Sequence, residues 1–467
     1  MTPSPLRALL LVLTCLTPAL AQADVSFPKP EDFKGRWRVE SATPGLPVYP
    51  GGAATISGSG LQPGQKVWLQ RGPQRLLETP LVADDKGAVS VEVAVPQSAA
   101  RGLHPIVALL EEPSMTALID LKVSGPLEHL NVDKWSVTER QVTKGLYQAA
   151  FSAAEGALYV AGADFYTGGS ELVKLNPDTL EVLARITPAD FPQEQRVEKK
   201  GGKGMALAPA GVYGVATDDS LGHIWVTNTP DNTIAVYKQS DLSLVRQLPP
   251  GSVYHAREVL VDPESRQAFV SSSASSRVYV FNSETFEKTG EIDIRSAARG
   301  GDFYVMNLAH NPQRGELYVT SRISNELAVV DVKTLAVKRV LPLAAARNAT
   351  GVATDPASGR IFVAAQDSDN LLILDGESGD ILHDVTVGAG ALSVTWDAKN
   401  ALAWVASRGA GSLSAVDAEG RLVAHLEGGS YANHITTDGR GRIFALNKAL
   451  GPQDPKADFL RVITRAD

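Results

Sequence analysis

The chain has 467 residues, 44% of them hydrophobic and 21% charged, which suits two or three globular domains. A net charge of -8 excludes a global field that would draw the protein to nucleic acid or to an anionic membrane, so any basic site must be local. The single cysteine, Cys15, lies in an expected leader, so the mature chain has no disulfide, no thiolate metal site and no cysteine nucleophile.

Residues 1–23 read as a cleaved signal peptide. Arg7 supplies the positive end, residues 8–16 form an apolar stretch too short to span a bilayer, and Ala19-Leu20-Ala21 or Ala21-Gln22-Ala23 offers the cleavage site. No later stretch is apolar enough to cross a membrane. Export and a periplasmic location are therefore expected. Residues 24–35 read as a linker, with Phe27-Pro28-Lys29-Pro30 at its centre. Across 36–126 short alternating runs sit between turns: Thr55-Ile56-Ser57-Gly58, then Lys66-Val67-Trp68-Leu69, then Val89-Ser90-Val91-Glu92-Val93 after Asp84-Asp85-Lys86-Gly87. This pattern predicts a small β-sandwich.

Residues 130–467 repeat. Val259-Leu260-Val261-Asp262 leads to Ala268-Phe269-Val270-Ser271 and then Val278-Tyr279-Val280-Phe281. Leu308-Ala309-His310-Asn311 leads likewise to Leu317-Tyr318-Val319-Thr320 and Leu327-Ala328-Val329-Val330-Asp331. The anchors Asp218, Asp262, Asn311, Asp355, Asp397 and Asp438 recur at about 40 to 50 residues, the period of propeller blades. An earlier, weaker copy near Ala149 brings the total to seven. The final copy is one strand short, and the segment from Trp135 to Gln141 is expected to complete it.

These repeats resemble the YVTN family of β-propellers, in particular its YncE-like periplasmic members. The likeness is carried by Leu317-Tyr318-Val319-Thr320 with Asn325, and by Ile224-Trp225-Val226-Thr227-Asn228. Gly58-Ser59-Gly60-Leu61 with Pro63-Gly64 resembles a bacterial immunoglobulin-like module. The expected fold is all-β: a seven-bladed β-propeller preceded by a small immunoglobulin-like β-sandwich. The resemblance also implies that single-stranded DNA is a candidate ligand.

A propeller gathers its ligands where the first strand of each blade begins. Counting four and five residues before the anchors gives one row per blade, including Tyr147, Tyr213, Arg257, Glu258, Asn307 and His434. Residues just past the second strands add Arg322, Arg408 and Lys448. Cations grip phosphates or carboxylates and tyrosines stack on rings, so this set predicts an anionic or aromatic ligand. Lys199, Lys200 and Lys203, in the insertion before the second copy, extend the basic character.

No residue is assigned a catalytic role, and no cofactor or metal is called for. The histidines lack metal-ligand spacing and no nucleophile elbow is present. Two alternatives stay open. One is a calcium-dependent, lactonase-like hydrolase using Glu258, Asn307 and Asn433 as oxygen ligands. The other is an envelope interaction module with a protein partner. The chain is expected to be a monomer without a membrane span.

Overall fold

The computed structural model describes residues 33–164, 166–191 and 210–466. The expected signal peptide, most of the linker and the run carrying Lys199, Lys200 and Lys203 lie outside the described residues. No helix among the described residues is long and apolar enough to cross a membrane.

Two antiparallel sheets come first. Strands Arg36–Ser41, Ala53–Ser59 and Ala88–Ala94 form one. Strands Lys66–Arg71, Gly102–Leu110 and Met115–Val123 form the other, with short strands Gln74–Arg75 and Leu81–Val82 pairing with the first of them. Alternation puts Ala54, Ile56, Val67, Leu69, Ile106 and Ile119 on the facing sides, where they form one core.

Among the described residues seven four-stranded antiparallel sheets follow, numbered 1 to 7 in chain order. Their first strands are Leu146–Ser152, Val215–Asp218, Ala256–Asp262, Val305–Asn311, Ala349–Thr354, Ala391–Asp397 and Ala432–Thr437. Each first strand touches the first strand of the next sheet, and that of sheet 7 touches that of sheet 1. Every neighbouring pair of sheets shares its own apolar cluster. Tyr159 with Tyr237 joins sheets 1 and 2, and Leu158 with Phe444 joins sheets 1 and 7. The result is a closed β-propeller ring. Trp135–Gln141 pairs with Phe459–Arg465 as the fourth strand of sheet 7, so an early segment closes the ring on the end of the chain.

The burial pattern explains the sequence pattern. Second and third strands are covered on both faces, so Glu316–Ser321 and Leu402–Ser407 are buried throughout and read as unbroken runs. Fourth strands such as Val182–Ile186 keep one face in solvent and alternate. The anchor carboxylates and amides hold the turn after each first strand: Asp218 accepts from Ser220 N–H at 3.1 Å and Asn311 from Arg314 N–H at 3.2 Å.

The repeated Thr is a staple between sheets. Thr320 Oγ1 accepts from Asn307 N–H at 3.1 Å within sheet 4 and donates to Thr350 O at 2.7 Å in sheet 5. Thr227 does the same, accepting from Gly214 N–H at 2.7 Å and donating to Arg257 O at 3.0 Å. The residue after it fastens the loop entering its own sheet, as when Asn228 Nδ2 donates to Gly211 O at 3.0 Å.

The first module docks on the ring end where the first strands begin. Lys122 Nζ lies 2.5 Å from Asp369 Oδ1 and donates to Gln366 O at 2.7 Å, and Arg101 hydrogen-bonds Thr386 Oγ1.

Candidate binding site at the channel mouth

Antiparallel pairing puts the start of every first strand and the end of every second strand at the same end of the ring. Six of the seven first strands carry an irregularity in register there. It falls at Tyr147, at Arg257 and Glu258, at Met306 and Asn307, at Thr350, at Leu392 and at Asn433. A bulge leaves a residue unpaired and re-aims its side chain. The repeat thus holds its variable side chains out of the sheet at one level of the ring. Gly214 occupies the equivalent place in sheet 2 for a packing reason: a Cβ there would meet Arg257 O at 2.4 Å and Thr227 Oγ1 at 2.8 Å.

Four of the predicted residues meet directly. Arg257 Nη1 donates to the Tyr147 hydroxyl at 2.7 Å. Lys448 Nζ sits 4.7 Å from the centroid of the Tyr147 ring. Tyr213 packs edge-on against Tyr147, with centroids 4.9 Å apart and planes at 79°. Asn433 Nδ2 donates to Tyr147 O at 2.9 Å, so that amide helps hold the ring carrier in place. Burial, then Tyr147 and Asp231, push the Tyr213 hydroxyl upward, so it stays a neutral phenol.

Arg257 is the electrostatic centre. Burial pushes Glu258 up to about 7, against the downward pull of Leu308 N–H, Arg257 and Asn307. Glu258 Oε2 accepts Leu308 N–H at 2.8 Å. Burial, helped by Arg257, pulls His434 down to about 3, and its Nδ1 accepts Ala149 N–H at 3.3 Å. His434 is therefore neutral at ordinary pH and presents Nε2–H as a donor. Burial first, then repulsion from Arg408 and Arg257, brings Lys448 down to about 8, with Asp458 and Asp164 pulling the other way. Arg408 lies 4.6 Å from the centroid of the Tyr431 ring. Among the described residues, none of Arg257, Arg408 and Lys448 has a carboxylate within the 4.0 Å of an ion pair. Within this cluster, the buried Arg257 Nε and Asn307 Oδ1 have no hydrogen-bond partner among the described residues.

Arg322 behaves differently. It is exposed on the loop after the second strand of sheet 4 and enters none of these contacts. Glu258 and Asn307 do come together, but no group of three or more His, Cys, Asp or Glu side chains among the described residues is placed to hold a metal ion. Two residues escaped the sequence reading. Tyr431 precedes the predicted row by two positions and stacks under Arg408. Asp458 precedes the third strand of sheet 7 and accepts Gly145 N–H at 2.9 Å. A cavity of about 350 Å³ opens there, lined by Lys448, Asp458, Asp164 and Tyr166.

No family model matches the chain. It is 23% identical over 324 residues to the uncharacterized protein YncE of Salmonella typhi, covering 65% of this chain and 82% of that protein. YncE of Salmonella typhimurium gives the same figures. Among solved structures, virginiamycin B lyase from Staphylococcus aureus aligns with a TM-score of 0.54 and 12% identity, over 71% of this chain and 100% of the lyase. A catalytically inactive variant of that lyase with quinupristin aligns equally well. At this identity the likeness is one of fold.

Proposed function

We propose that the chain is an exported, periplasmic binding protein: a seven-bladed propeller behind an immunoglobulin-like module, holding an anionic or aromatic ligand at its channel mouth. One observation carries the reading. Arg257, Arg408 and Lys448 crowd the same region with no carboxylate in ion-pair contact among the described residues, beside the paired rings of Tyr147 and Tyr213. Cations that repel one another in a partly buried site are stabilised by an incoming anion, and charge-assisted bonds are the strong ones. A single-stranded oligonucleotide satisfies both features, through phosphate on the cations and a base on the rings.

The test is a thermal-shift screen of the full chain against oligothymidylate and sugar acids. Binding to the folded state raises the midpoint, by the equivalent of about 2.7 kcal/mol at a ligand concentration of 100 Kd. The gain is expected to vanish in Arg257→Gln and to weaken with salt. A ligand that stabilises wild type and Arg257→Gln equally would sink the reading.

A second reading rests on Glu258, whose carboxyl sits near neutrality and so suits proton transfer. It predicts hydrolysis of a lactone that disappears in Glu258→Gln. Hydrolysis that persists in the variant eliminates it.

A further inference from the structure

Between the first module and the ring lies a cleft of about 740 Å³. That volume falls within the range of about 300 to 1,000 Å³ usual for small-molecule sites, which favour domain junctions. Pro44 and Leu46 line it from the module, and Arg408, Tyr431 and Leu450 from the ring. A second cleft of about 380 Å³ has the same five residues in its lining, so the two clefts adjoin at the Arg408–Tyr431 pair.

Two features of the lining are unusual. Leu46 and Leu450 are 53% and 40% exposed although their segments touch, since a Cβ on Gly45 would meet Leu450 Cδ1 at 3.1 Å. Apolar surface is thus left uncovered on both walls of one opening. The second feature is Arg408. Lys122 is neutralised by Asp369, Glu40 pairs with Arg38 at 3.4 Å, and Asp367 keeps its charge while its Oδ2 accepts from Asn348 Nδ2 at 3.2 Å. Arg408 has neither an ion pair nor a side-chain hydrogen bond among the described residues, only the Tyr431 face. An arginine held over a ring face keeps its planar donors free for a bidentate anion.

We infer that this cleft binds a small amphipathic anion, its flat apolar body between Leu46 and Leu450 against Tyr431 and its acidic head on Arg408. The inference rests on the channel-mouth reading only for the availability of Arg408. The residues that hold Tyr147 and Arg257 together take no part in it. Docking of the module, fixed by Lys122 on Asp369, builds the site from two parts of the chain that are far apart in sequence.

The probe is 8-anilinonaphthalene-1-sulfonate, which combines flat aromatic rings with a sulfonate and brightens in apolar surroundings. It is titrated into the folded full chain. Wild type is expected to show one saturable site. Arg408→Gln and Leu46→Asp are each expected to weaken binding at least about tenfold, a loss of about 1.4 kcal/mol. Leu46 is an exposed loop residue, so its variant keeps the fold, which a circular-dichroism melt checks. Leu118→Asp, at a site 68% exposed elsewhere on the module, should leave binding unchanged. The inference falls if wild type shows no saturable site, or if Leu46→Asp binds like Leu118→Asp. If Arg257→Gln alone removes binding, the probe sits at the channel mouth; the cleft is then wrong while the proposed function stands.

Discussion

Replacing Glu258 with glutamine should remove a specific part of the protein's pH dependence. Burial pushes this carboxyl from its ordinary 4.5 up to about 7 in the folded chain. The folded value lies above the unfolded one, so the protonated form's contribution to stability is complete below about pH 4.5 and is lost as pH rises through about 7. At about 1.4 kcal/mol per pH unit, the gap is worth about 3 kcal/mol. This is a ceiling, because Glu258 keeps some solvent-exposed surface. Glutamine retains the shape and an oxygen for Leu308 N–H, and it cannot ionise. Urea unfolding at intervals from about pH 4.5 to 8.5 measures the difference directly. Wild type should lose up to about 3 kcal/mol more than Glu258→Gln across that range. Parallel stability profiles for the two proteins would refute the electrostatic argument.

Three other outcomes follow from the structure. Thr320→Val strands the buried Asn307 N–H and Thr350 O, each costing about 1–3 kcal/mol, and chemical denaturation should show a loss in the range of their sum. His434 is held neutral, so its contribution is present above the unfolded value of 6.5 and is lost as pH falls toward about 3. His434→Gln should therefore flatten the stability curve below pH 6.5, read by thermal melts in acid buffers. Lys122→Met leaves Asp369, whose side chain is 2% exposed, without its cation. The loss should approach about 3 kcal/mol, with faster hydrogen exchange at residues 366–369 and 390 and none in sheets 1 to 3.

The repeat made the ring legible because each level of its physics leaves a local trace. Buried second strands read as unbroken apolar runs, and the Asx turn at Asp262 or Asn311 marks a fixed distance from the start of its strand. Counting back from those anchors therefore reached Tyr147, Arg257 and Asn307, which sit on the register irregularities. The count fell on the bulge without reference to it because the bulge repeats with the blade. Positions past the second strands were less predictable, since loops set them. Arg408 and Lys448 lie against aromatic rings while Arg322 stands in solvent. Docking of the first module left no trace at all. Lys122 and Asp369 carry no mark of their pairing, and only folding brings them to 2.5 Å. The cleft they create, with Tyr431 on its floor, was invisible for the same reason.

The claim that matters most is that the channel mouth holds an anion where Arg257 and Lys448 converge on Tyr147. A crystal soaked in iodide, with its anomalous signal recorded, examines it without any assumption about the natural ligand. The account predicts an ordered iodide in contact with the Arg257 guanidinium and the Lys448 ammonium, lost in Arg257→Gln. Iodide ordered elsewhere on the ring, with that position empty, would contradict it.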